Sequence, residues 1–415
     1  MEYQILDTTT VVAYVLNNPE TASHFRDPLS VKAREIGDGN LNLVFILQSE
    51  TFPQEALIVK QAVPYLRVVG ESWPLSRERM RFEAQALMLY EQLAPGLAPK
   101  VFAYEEAMSI VVMEYLIEHQ VMRQPLVARQ KFPLFAEHLS TFLANVLFKT
   151  SDLYLTGLAK KDLQSRFINP HLCKIQEDFV FSNPYMESPE NKHNPLITDE
   201  VSAVRQNVEL KLAIANLKEK FMTQGQALIH SDLHTGSIMV NPADTRIIDP
   251  EFSFFGPMGY DIGAVMSNLM MNYMSHFAHT ADAEQREAHQ GYLLDTMRSL
   301  WNLFAFKFDA LWVRANTGEL VPELYWQFEG GEQAFARYRE RYIRQILRDT
   351  FGLGACESLR RMMGLVTVWD VGSIENAEAR ASVERRIIRV STRWILEHES
   401  FMSVEDALRI VTEEI

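Results

Sequence analysis

Short apolar alternations dominate the first part of the chain and helical spacing the rest. Leu41, Leu43, Phe45 and Leu47 alternate with partners on the other face, Ala56-Leu57-Ile58-Val59-Lys60 is an apolar run, and Ser109-Ile110-Val111-Val112-Met113-Glu114-Tyr115-Leu116 is another. Such short runs, bounded by turn residues, predict strands. Asp7-Thr8-Thr9-Thr10 ahead of Val11, Val12, Tyr14, Val15 and Leu16 predicts a short capped helix. Residues 76–93 place Phe82, Ala86, Leu89 and Leu93 on one helical face. From 117 to 220 the spacing is helical throughout, with a broad stripe over 132–150 and one long helix expected over 198–223. Residues 183–195 are polar and proline-marked and predict a loop. Two apolar triplets, Ala227-Leu228-Ile229 and Ile238-Met239-Val240, flank a polar turn, and a third run ends at Ile248. Met, Phe, Leu and Trp then recur at helical spacing from 266 to 312, a pattern that demands burial against other helices or a dimer contact. The arginines at 337, 339, 341 and 344 read as a solvated helix face.

With 415 residues the chain has room for two or more lobes, and 47% hydrophobic content is ordinary for a globular protein. A formal charge of -14 disfavours nucleic acid and anionic lipid as partners, while leaving open a small anionic ligand in a locally basic pocket. Cys173 and Cys356 are too few for a disulfide framework or a paired-cysteine metal motif. With no signal-like start and no bilayer-length apolar run, cytoplasmic residence is the expectation.

The candidate chemistry lies in His230-Ser231-Asp232-Leu233-His234-Thr235-Gly236-Ser237 and in Ile247-Ile248-Asp249-Pro250-Glu251. Each stretch delivers an acid from an apolar strand to a loop, and the two strands are expected to be neighbours. Kinase-type phosphoryl transfer needs one carboxylate for the acceptor hydroxyl and another for the magnesium that bridges nucleotide phosphates. The plain alternative is a pair of acids capping turns. His230 and His234 are four apart, but a strand-to-loop setting does not put them on one helical face, so a transition-metal pair is set aside. In Glu35-Ile36-Gly37-Asp38-Gly39-Asn40 a glycine turn could offer N–H groups to phosphate or close an ordinary hairpin. Lys60 ends an apolar strand, placed either to grip phosphates or to leave for solvent. Arg360 and Arg361 sit among small and apolar residues, where a guanidinium needs a carboxylate or a ligand.

His-x-Asp followed by Ile-Ile-Asp resembles the catalytic loop and metal-binding strand of the protein-kinase-like superfamily. Ser237 stands where kinases usually carry a metal-binding Asn, and Asp249-Pro250-Glu251 replaces Asp-Phe-Gly. With Gly256-Pro257-Met258-Gly259-Tyr260-Asp261-Ile262-Gly263, these departures resemble the 5-methylthioribose kinase family. The resemblance implies an α+β, bilobal protein-kinase-like fold, with a small antiparallel-sheet N-lobe over 1–116 and a larger, mainly helical C-lobe over 117–415. It implies nucleotide contacts from Asn40, Lys60, Glu114, Tyr115, Leu116, Asp249, Pro250 and Glu251. Asp249 and Glu251 would hold magnesium, both carboxylates pointing one way along an extended segment. Asp232 would be the catalytic residue, orienting or deprotonating the acceptor hydroxyl, and, with Arg360, Arg361 and the loop residue Trp73, would meet the sugar. Glu83 would hold Lys60, with Glu78 the other candidate on that helix. His230 would brace the loop through its ring N–H and Asp261 through backbone amides. Thr367 departs from the His that the family pattern favours.

The implied activity is transfer of the γ-phosphoryl of ATP to the anomeric hydroxyl of 5-methylthioribose in methionine salvage, by a magnesium-dependent homodimer. Two alternatives remain at this point. One is a related kinase of choline, homoserine or an aminoglycoside, and the other is a catalytically silent nucleotide-binding protein.

Overall fold

The early alternation becomes a five-stranded antiparallel sheet of order β1-β2-β3-β7-β6, built from β1 (Val31–Glu35), β2 (Asn42–Ser49), β3 (Ala56–Ala62), β6 (Val101–Glu105) and β7 (Ile110–Glu114). It is seen in a computed structural model that describes residues 2–37, 41–67 and 70–414. Helix α1 (Thr10–Asn17) starts after Asp7, whose Oδ1 accepts the N–H groups of Thr9 and Thr10, and it buries Val11 and Val15. These join Phe45, Leu47, Leu57, Val59, Ile110 and Val112 in one core. β4 (Tyr65–Leu66) and β5 (Gly70–Pro74) pair as a small ribbon carrying Trp73, where the sequence suggested an irregular loop. Helix α2 (Arg79–Leu93) begins three residues later than its pattern predicted and buries Phe82, Glu83 and Ala86.

The chain separates into two compact units. One comprises Met1–His119 together with Arg246–Ser253, and the other Gln120–Thr245 together with Phe254–Ile415. The second is mainly helical. It opens with β8 (Gln120–Val121) and α3 (Phe135–Lys149), which buries the expected stripe of Phe135, Leu139, Phe142, Leu143 and Val146. The single helix expected over 198–223 is two, α4 (Thr198–Gln206) and α5 (Val208–Thr223). Asn207 takes an extended backbone, and its side chain accepts the Leu210 N–H at 3.0 Å. An asparagine competing for backbone N–H groups thus starts a new helix where apolar periodicity alone reads as continuous.

Next come β9 (Ala227–Ile229), β10 (Ile238–Val240), β11 (Thr245–Ile247) and β12 (Phe254–Gly256). The expected neighbours do not share a sheet, because β9 pairs with β12 in a ribbon of its own. Four long helices follow, α6 (Gly259–His279), α7 (Ala283–Arg314), α8 (Gly331–Met363) and α9 (Ala377–Glu397). The methionine-rich pattern is interior, with Met266, Met270, Met271 and Met274 of α6 fully buried.

α6 and α8 cross with almost no side chain between them. A Cβ on Gly263 would lie 2.8 Å from the Gly354 nitrogen and closer still to the Thr350 carbonyl oxygen, both backbone atoms with nowhere to go. Gly263→Ala is therefore expected to lower stability by about 1–3 kcal/mol through overpacking, read as a drop in the urea midpoint.

Candidate active site

The loop after β9 is held from behind by α6. Asp261 accepts the His230 N–H at 2.7 Å and the Ser231 N–H at 2.8 Å, and Gln176 donates to the Ser231 carbonyl at 2.7 Å. Ser231 is buried in a left-handed conformation with φ 68, and its hydroxyl has no hydrogen-bond partner among the described residues. His230 also engages the loop through Nδ1. Its Nδ1 accepts the Asp232 N–H at 3.2 Å, because the turn points that N–H back at the ring.

This bracing leaves the Asp232 side chain 27% exposed. Arg360 Nη2 lies 3.7 Å from its Oδ1, and His234 Nε2 lies 3.6 Å from its Oδ2. Arg360 and Arg361 both also bind Glu357, one helical turn back on α8. Arg360 Nη2 and Arg361 Nε each donate to Glu357 Oε1 at 2.9 Å. Burial alone would push the Glu357 carboxyl up, but the two guanidinium groups outweigh it and hold it below the usual range. Behind them Arg123 donates to Thr235 Oγ1 at 3.2 Å and to Asn268 Oδ1 at 3.3 Å, with Asp370 Oδ2 at 3.7 Å. The other oxygen of Asp370 accepts from Asn272 at 2.7 Å.

The other candidates lie in the sheet-bearing unit. Lys60 is buried on β3 between Glu83 Oε1, at 2.6 Å, and Asp249. Burial would lower its pKa, but Asp249, Glu83 and Glu251 more than offset this and keep it protonated. Glu83 is the partner because it faces inward on α2, whereas Glu78 is surface-exposed and pairs with Arg81 at 2.6 Å. Arg79 is fully buried and donates to the carbonyls of Leu41 and Val63, each at 2.9 Å, and to Asn42 Oδ1 at 2.9 Å. Asn42 in turn donates to Glu251 Oε2 at 2.9 Å.

Asp249 and Glu251 do not lie along an extended segment. Asp249 has φ 62, and Pro250–Phe252 forms a 3-10 turn, so the two carboxylates diverge, Asp249 toward Lys60 and Glu251 toward Asn42 and Arg79. Asp249 keeps 40% of its side chain exposed while Glu251 keeps 8%. Glu114 ends β7, and its carboxylate accepts the Lys100 N–H at 3.2 Å. Tyr115 is half-buried and Leu116 buried beyond it. Trp73 is half-buried on β5, in a different unit from Asp232 and the arginine pair. Asn40 lies outside the described residues.

Magnesium fits this chemistry. Lys60 pairs with Glu83 and Asp249, Arg79 lies 3.6 Å from Glu251, and burial raises the carboxyl pKa of both Glu83 and Glu251. Among the described residues no group of three His, Cys, Asp or Glu is arranged to hold a metal unaided. Magnesium typically takes one or two carboxylates and completes its shell with phosphate and water. Asn42, Arg79, Arg123 and Glu357 were not singled out from sequence, and His234 was considered there only as a metal ligand. The one available signal was at Glu357, three and four residues before the arginine pair.

A fold that sets a strand lysine against an acidic helix residue, with a braced His-x-Asp loop, is that of a phosphotransferase. The family model described as "Phosphotransferase enzyme family" matches residues 32–300. The chain is 39% identical to methylthioribose kinase 1 of Oryza sativa subsp. japonica, over 97% of this chain and 94% of that one. It is 38% identical to the methylthioribose kinase of Geobacillus kaustophilus, over 94% and 93%. A solved choline kinase from Cryptosporidium parvum is 13% identical with TM-score 0.46, covering 92% of this chain and 95% of its own. The chain belongs to the methylthioribose kinase family, and the α+β kinase-like fold expected from sequence stands.

Glu357→Gln would leave two buried guanidinium groups short of a counter-charge and is expected to destabilise by about 3 kcal/mol at pH 7. A carboxylate whose folded pKa is depressed stabilises above its unfolded value and loses that contribution as pH falls. The difference from wild type should therefore shrink below the ordinary glutamate value of 4.5, as measured by urea unfolding at pH 7 and pH 4.

Proposed function

We propose that the protein transfers the γ-phosphoryl of ATP to the anomeric 1-hydroxyl of 5-methylthioribose, yielding the 1-phosphate used in methionine salvage. The observation that carries the reading is 38–39% identity to methylthioribose kinases across nearly the whole chain. Asp232, partly exposed and braced from three sides, orients the acceptor hydroxyl and takes its proton. Arg360, beside Asp232, meets the sugar and the charge that develops on the transferred group. Arg361, deeper and bound to Glu357, keeps Arg360 in place.

Lys60 grips nucleotide phosphates, and Glu114, Tyr115 and Leu116 meet the adenine, with Pro250 shaping the turn between Asp249 and Glu251. Asp249, the more exposed acid, would be the first magnesium ligand and Glu251 the second. The ion would offset phosphate charge. Trp73 completes the proposed sugar contacts.

Homodimer formation is favoured by exposed Leu324, Tyr325 and Phe328, at 77%, 69% and 58%. Cytoplasmic residence is favoured by two unpaired cysteines. Among the described residues no helix is long and apolar enough to cross a membrane.

A coupled ADP-release assay with magnesium, run over several pentoses, choline and homoserine, tests the reading. Turnover should be fastest with methylthioribose. A preference for a cationic acceptor would overturn the substrate, and ATP binding without turnover would mark a silent nucleotide binder. Asp232→Asn should lower kcat by about 100-fold to 10,000-fold. Lys60→Met should raise the KM for ATP more than that for the sugar.

A further inference from the structure

We propose that His234 is a positioning residue for the transfer, a neutral imidazole seated over Gly236 that presents its Nε2–H to the Asp232 carboxylate on the side away from Arg360. The inference rests on the kinase reading above and deepens it.

Nothing so far uses His234. The spacing His-x-Asp-x-His gave it only a rejected metal role, and the proposed chemistry runs through Asp232 and the arginines. Yet three observations converge on the ring. First, its Nδ1 accepts the Gly236 N–H at 2.9 Å. The nearby Ser237 hydroxyl, 3.3 Å from the same nitrogen, also donates to the Asp232 carbonyl at 2.9 Å. A nitrogen that accepts a backbone N–H carries no proton, so the single proton of a neutral ring is on Nε2. That nitrogen is the one 3.6 Å from Asp232 Oδ2.

Second, the seat exists because residue 236 is glycine. A Cβ there would lie 2.7 Å from His234 Cε1 and 2.9 Å from Nδ1, with the Arg123 guanidinium carbon 3.2 Å away. Any side chain at 236 would push the ring out of its slot.

Third, the surroundings suit a neutral ring. Burial, then Arg123 and Arg361, hold the imidazole well below the ordinary histidine range. The consequence is chemical. An imidazolium would form an ion pair with Asp232 and weaken it as a proton acceptor. A neutral N–H fixes the carboxylate plane and leaves its charge in place. The two oxygens of Asp232 then meet different neighbours, a cation at Oδ1 and a neutral donor at Oδ2. Donor–acceptor distances in unliganded sites are often long and tighten when substrate binds.

Steady-state kinetics on the full chain with methylthioribose, ATP and magnesium test the idea, with folding checked by circular dichroism. His234→Ala should lower kcat by about 10–100-fold while both KM values stay within about threefold. His234→Gln, whose amide reaches toward the Nε2 position, should recover most of that loss. Gly236→Ala, which keeps the histidine but evicts its ring, should share the kcat defect. An unchanged kcat in His234→Ala, or a Gln variant as slow as the Ala variant, would overturn the proposal. Absence of wild-type turnover would count against the substrate assignment alone. In that event long-range nitrogen-15 spectra of histidine-labelled protein still decide, with the signal lost in His234→Gln identifying the residue. An Nε2–H tautomer at pH 7 supports the proposal, and an Nδ1–H tautomer or an imidazolium refutes it.

Discussion

Backbone lies directly on backbone where α6 crosses α8. Gly259, Gly263 and Gly354 leave no side chain to act as a spacer, so Asp261 and the Glu357-Arg360-Arg361 group are carried on two helices that meet at a fixed distance. Asp261 holds the loop that presents Asp232, and Arg360 faces Asp232 from the other helix. A carboxylate positioned this way inherits its placement from packing that has little freedom to relax. The same crossing explains why Asp261 is spent on two backbone N–H groups: a loop residue with positive φ needs external anchoring to keep an uncommon conformation.

The two groups of charged residues differ in balance. Around Asp232, three carboxylates, Asp232, Glu357 and Asp370, meet three guanidinium groups, Arg123, Arg360 and Arg361. A balanced set of rigid donors and acceptors suits an uncharged polyol, which needs hydrogen bonds and no net counter-charge. Among the described residues that pair around Lys60, three carboxylates meet two cations. A surplus of carboxylates is the charge balance that a divalent cation requires.

Much of this was legible in the sequence because strands and acids leave local traces. Apolar triplets around 227–240 and the strand bearing Lys60 were readable, although β3 runs two residues past the lysine, as was the interior character of 266–312. Asp261 was readable from its motif. The failures share a cause, since they depend on conformation that residue spacing does not encode. Asp249 takes a left-handed backbone ahead of a proline, so the alternation that would align it with Glu251 does not apply. Asn207 interrupts an apolar stripe that continues on both sides. Trp73 lies on a ribbon whose pairing comes from a bulged register, with no regular alternation to announce it. Arg79 and Asn42 form a buried relay across segments far apart in sequence, which a single chain read in order does not display.

Ser231 carries a further implication for engineering the protein. Its backbone adopts a geometry that glycine reaches freely and serine does not, and its hydroxyl is enclosed without a partner. Each circumstance penalises the native state by about 1 kcal/mol or more. Neither the Asp261 anchors nor the Gln176 bond involves the serine side chain, since both engage the main chain. The loop thus contains a thermodynamic reserve: removing a single hydroxymethyl group would strengthen the fold without altering any of the hydrogen bonds by which Asp261 and Gln176 hold the main chain.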